Sequence, residues 1–78
     1  MNIKEKNMET MRISNRENEV LELVSRAFST SEIAQKLYIS DETVKSHRKS
    51  LLTKLEAKNS AGIVRRGFEL GLLTVNTI

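Results

Sequence analysis

From Ser14 onward the apolar residues recur with a helical period. Val20, Leu23, Val24 and Ala27 share one side of a helix, Leu21 widens that stripe, and Asn15, Asn18, Glu22 and Ser25 fall opposite. The start is set by "SNRE", a capping box in which Ser14 accepts from the amide of Glu17 and Glu17 reaches back to the amide of Ser14. "STSE" repeats the signature with Ser29 and Glu32, which predicts a short helix over about 30 to 37 burying Ile33, Ala34 and Leu37. Ser40 opens a third helix running to about Leu55, and Asp41 and Glu42 in its first turn suit the positive end of the helix dipole. A fourth is predicted from Ser60 to Leu70, capped by Asn59 or Ser60 and stopped by Gly71 in the left-handed region. Gly62 and Gly67 weaken it by about 1 kcal/mol each against alanine. The last residues either close the core through Leu72 or fray. This pattern predicts an all-α fold, a compact four-helix domain over 13–73, preceded by a flexible arm or linker at 1–12 and followed by a tail at 74–78.

Composition narrows the chemistry. A chain of 78 residues builds one domain with a thin core, which argues against an enzyme with a deep pocket. It has no cysteine and one histidine, so neither a disulfide framework nor a metal site is expected, and nothing points to a cofactor. No catalytic arrangement emerges either: no Ser and His are joined by a plausible third partner, and there is no phosphate-cradling glycine loop. No apolar run approaches the roughly 18 residues of a membrane span and the N-terminus lacks a signal-peptide core, so a cytoplasmic protein with no membrane partner is expected. The net charge is only +3, yet it is uneven. Residues 1–35 carry five bases and six acids, whereas residues 36–66 carry eight bases and three acids. A basic half suits a polyanion, although an ordinary solvated surface can show the same imbalance.

Two helices joined through Tyr38, Ile39 and Ser40, with Ile33, Leu37, Ile39 and Val44 apolar and Ala34 small at the crossing, describe a helix-turn-helix. Any short helical hairpin shows a similar pattern, so the third helix has to discriminate. At about 100° per residue, Val44, Leu51, Leu52 and Leu55 gather on one face, and Glu42, Lys45, Ser46 and Lys49 form an i, i+3, i+4, i+7 stripe on the other. Such a stripe is how a helix in the major groove of double-stranded DNA presents side chains to base edges. The competing reading is a solubilising face with lysines paired to Asp41 and Glu42. Thr43 suits a phosphate near the helix N-terminus, and Lys54 and Lys58 extend the backbone contacts. His47 is placed either to donate to a phosphate or to pack beside the first helix. Arg48 falls on the apolar side, where its stem covers the core while the guanidinium snorkels to the rim or meets a phosphate.

The stretch "ISNRENEVLELVSRAFSTSEIAQKLYISDETVKSHRKSLLTKLEAKN" closely resembles the LuxR/GerE-type helix-turn-helix domain, and the resemblance covers about 13 to 72. It implies a four-helix DNA-binding domain of a bacterial transcriptional regulator that binds as a homodimer at paired half-sites with its third helix in the major groove. Carried over by position, base contacts match Lys45, Ser46 and Lys49, and backbone contacts match Thr43, His47 and Lys54. The fourth helix commonly supplies the dimer contact, here parts of Ile63, Arg66, Gly67 and Leu70. RNA polymerase is a further candidate partner, and no small-molecule ligand is expected in this domain. The chain departs from the family's pattern where Ala27 and Glu56 replace usual glycines, where Ser31 replaces a frequent basic residue, and where Arg65 and Arg66 replace usual apolar ones. Members usually carry an N-terminal sensor domain, for which this sequence has no room, so it reads as a standalone regulator or the effector end of a longer one. The alternative from another class is a protein-interaction module that keeps the frame to antagonise a regulator.

Overall fold

The computed structural model describes residues 12–75. Among them are four helices and no strand: α1 (Asn15–Ser25), α2 (Thr30–Leu37), α3 (Asp41–Lys54) and α4 (Ser60–Glu69). The all-α, four-helix expectation holds. Of the expected arm and tail, residues 1–11 and 76–78 lie outside the described residues.

Side-chain caps set the helix starts. Ser14 Oγ accepts from the Glu17 amide at 3.0 Å while Glu17 Oε1 accepts from the Ser14 amide at 2.9 Å. Ser29 and Glu32 repeat the exchange at 3.2 and 2.8 Å. Ser40 Oγ accepts from the Thr43 amide at 3.1 Å, and Asn59 rather than Ser60 caps α4, its Oδ1 accepting from Gly62 at 2.9 Å. Each cap satisfies an amide that the helix leaves unpaired and stabilises it by about 1 kcal/mol.

The helix ends share one device. Ala27, Tyr38, Glu56 and Gly71 have φ of 67°, 58°, 55° and 76°, so each helix is turned off by a left-handed residue. Amides beyond the turn then reach back, as in Phe28 N–H to Leu23 O at 3.1 Å, Ala57 N–H to Leu52 O at 2.9 Å and Leu72 N–H to Gly67 O at 2.8 Å. Three of the four positions are not glycine. The departures at Ala27 and Glu56 therefore keep the turn and carry its strain, and Tyr38 adds a third case that no sequence signal announced.

Val20, Leu21 and Val24 of α1, Ile33 and Ala34 of α2, Val44 and Leu51 of α3 with Leu55 just beyond it, Ile63 of α4, and Leu73 form the core. Helix α3 packs against all three others, so its orientation is fixed from several sides. Two expectations are corrected. Leu37 is only half-buried, because with Leu23 it lines the open groove between α1 and α2. The residue that closes the core near the C-terminus is Leu73, 3% exposed, and not the half-buried Leu72. Leu73 fits because residue 67 has no side chain: a Cβ there would stand 2.7 Å from Leu73 Cδ1. The glycine that weakens α4 as a helix is what lets the core close.

Candidate nucleic-acid interface

Helix α3 separates its faces as its sequence dictates. Val44 and Leu51 are buried, while Glu42, Lys45, Ser46, Lys49 and Thr53 are all exposed along one edge. None of the stripe residues is covered by the fold of the described residues. Glu42 and Lys45 make an ion pair at 3.3 Å with side chains 85% and 62% exposed. Such an exposed pair is worth little and can rearrange. The neighbouring acid is tied down differently, since Asp41 Oδ2 accepts from Ser31 Oγ at 2.9 Å and links the first turns of α2 and α3. Ser31 thus serves the frame where a basic residue would have offered a cation. Among the described residues Lys49, Lys58 and His47 have no ion-pair partner; Lys58 is exposed and His47 half-buried. Thr43 Oγ1 lies 2.9 Å from Ser40 Oγ beside the exposed start of α3.

One network holds the helix from behind, and sequence reasoning missed it. Glu17 is 6% exposed. Beyond its capping role, Glu17 Oε2 accepts from Ser50 Oγ and Oε1 accepts from Lys54 Nζ at 2.9 Å. Lys54 Nζ also donates to Arg12 O at 3.0 Å. Burial by itself raises the Glu17 pKa, but hydrogen bonds from Ser50, Lys54 and the Ser14 amide, with the Lys54 charge, outweigh it and lower the value from 4.5 to about 2. The available signal was that Ser50 and Lys54 stand four apart on α3 at the edge of its apolar face.

This placement bears on several of the expected site residues. Lys54, expected at the DNA backbone, has its ammonium committed to Glu17 because the capping box needs only part of that carboxylate. Arg48 does not snorkel freely but donates to Ser60 Oγ at the start of α4. Of the expected dimer set, Ile63 is 1% exposed and Gly67 is buried against Leu73 and Leu21, so both face the chain's own core. Arg66 is held inward as well, donating from Nε to Leu55 O at 3.0 Å and from a terminal nitrogen to Glu69 at 2.9 Å. Leu70 is half-buried against the core. The outward face of α4 is instead Ala61, Arg65 and Phe68, with Val64 half-buried beside them.

No group of three or more potential metal ligands occurs among the described residues, and no helix there is long and apolar enough to cross a membrane. The arrangement is that of a rigid frame presenting a polar, partly cationic helix edge. Residues 11–66 match the family described as bacterial regulatory proteins, luxR family. The chain is also similar to the oxygen regulatory protein NreC of Staphylococcus haemolyticus, 34% identical over 61 residues, and to that of Staphylococcus aureus, 36% identical over 61 residues. Those matches cover 78% of this chain but 28% of each relative, so it spans less than a third of the curated relatives it matches.

Proposed function

Because the chain belongs to the luxR family of bacterial regulatory proteins, and so carries the DNA-binding helix-turn-helix of a transcription regulator, we propose that α3 reads the major groove of an operator. In this reading Glu42, Lys45, Ser46 and Lys49 face base edges, and Thr43, His47 and Lys58 position the domain on phosphates. The observation that carries it is the exposed edge of α3 combined with a buried opposite face that three other helices hold in place. Lys49 has no acid beside it and is the cation most available to a guanine. Arg48 and Lys54 act by orienting α3, through Ser60 and Glu17, rather than by touching DNA.

The protein acts in the cytoplasm, where its operator is, and binds as a homodimer on paired half-sites through the outward face of α4, with Ala61, Val64, Arg65 and Phe68 in the contact. RNA polymerase is the further partner of this reading. The similarity to NreC supports a regulatory role and leaves the controlling signal to each protein.

Selection of binding sites from a random duplex pool with purified protein, followed by titration on the enriched site, tests the proposal. Lys49→Ala is expected to weaken binding to the enriched site by about 1–3 kcal/mol and to relax the preference at one position. No enrichment of any sequence, or an unaltered preference in Lys49→Ala, would sink it.

A further inference from the structure

Within that reading, on which this inference rests, Glu42 poses a problem of charge. It places a carboxylate, 85% exposed, on the edge that must approach a polyanion. Capping does not require it, since Ser40 already satisfies the Thr43 amide. Frame-building does not require it either, because Asp41 is the acid that links α3 to α2. Its partner is Lys45, one turn along the same stripe, with Glu42 Oε1 3.3 Å from Lys45 Nζ.

We propose that the Glu42–Lys45 ion pair reads a single C·G base pair as a unit. The pair offers an acceptor and a donor about one hydrogen-bond length apart. In the major groove a C·G pair offers the complement: the cytosine N4 amine donates, and guanine O6, about 3 Å away across the Watson–Crick bond, accepts. The carboxylate takes the free N4 hydrogen, the ammonium donates to O6, and N7 beside O6 gives Lys45 a second acceptor. An A·T pair also has an amine beside a carbonyl, but in the wrong company. Adenine N7 then lies next to the carboxylate and repels it, and the thymine methyl crowds the ammonium. Glu42 is therefore a specificity-determining residue: its charge disfavours every duplex that fails to present an unencumbered amine at that point.

The test is random-site selection with the wild type, Glu42→Gln, and Glu42→Gln combined with Lys45→Ala, with Glu19→Gln on α1 as a remote acid control. The wild type should enrich C·G at one position of each half-site and disfavour A·T there about tenfold or more. Glutamine pairs with adenine N6 and N7, so Glu42→Gln should move that position toward A·T and leave the other positions unchanged. Adding Lys45→Ala should cost little further discrimination at that base pair, as coupled residues are non-additive. Because Glu42 is exposed, helix content by circular dichroism should be unchanged. Glu42→Gln retaining the wild-type letters everywhere, whether affinity stays level or rises uniformly, overturns the inference. So does a loss of preference at a different base pair when Lys45→Ala is added to Glu42→Gln. A wild type that enriches no sequence fails the groove-reading proposal itself, a distinct result.

Discussion

Glu17 answers to two helices at once, closing the cap of α1 and receiving Ser50 and Lys54 from α3. Its depressed pKa makes the tie dependent on pH in a definite direction. A carboxyl whose folded value lies below its unfolded one contributes stability above the unfolded value, here near 4.5, and loses it as pH falls toward about 2. Glu17→Gln should thus destabilise the domain by about 2 kcal/mol at neutral pH, the scale of hydrogen bonds to a buried charge. Thermal melts should show the gap between variant and wild type narrowing between about pH 5 and pH 2. A gap of constant size would mean that the charge contributes nothing. Little of this is visible along the chain: Ser50 and Lys54 stand four apart on α3, but "SNRE" accounts for Glu17 completely as a capping residue. A second partner 33 residues away leaves no local trace.

At the scale of elements, the legible features were those written within one turn of the helix they control. Ser14, Ser29, Ser40 and Asn59 announce helix starts because a short polar side chain bonds an amide two or three residues on. Three of the four caps are therefore legible to the residue, and the fourth to a choice between Asn59 and Ser60. The ends were harder: Gly71 is recognisable as a left-handed turn, but Ala27, Tyr38 and Glu56 adopt the same conformation without the residue that favours it. These positions hold a removable strain. Ala27→Gly, at an exposed site, should raise stability by about 0.5–1 kcal/mol, the relief of the left-handed alanine less the added freedom of the unfolded chain. Denaturant midpoints at unchanged slope would check it, and a loss of stability would show that the turn is unstrained. The inward and outward faces of α3 were equally legible, since one helical period fixes both. The faces of α4 are harder to read because the inward one contains Gly67 and Arg66, which look like surface residues until Leu73 and the Leu55 carbonyl are placed against them.

For the molecule as a whole, charge is arranged so that the cations of α1 and α4 are answered locally. Arg16, Arg26, Arg65 and Arg66 each face a glutamate on their own helix, which leaves the region around α3 to carry the field. Affinity for the operator should fall linearly in a plot of log K against log salt, and Lys58→Ala should reduce that slope by about one without changing the preferred sequence. A slope unaffected by Lys58 would remove it from the phosphate contacts. The position of Leu73 bears on how the domain comes into being. Its side chain lies over Gly67 and near the buried Leu21 of α1, so the first helix and the last buried residue complete one another across nearly the full described length. Translation delivers these residues in order, and a nascent chain whose residue 73 is still inside the ribosome can form its helices but must leave Leu21 partly wet. Only emergence of that leucine seals the interior, which makes the arrival of residue 73 the step at which the domain becomes able to hold α3 steady.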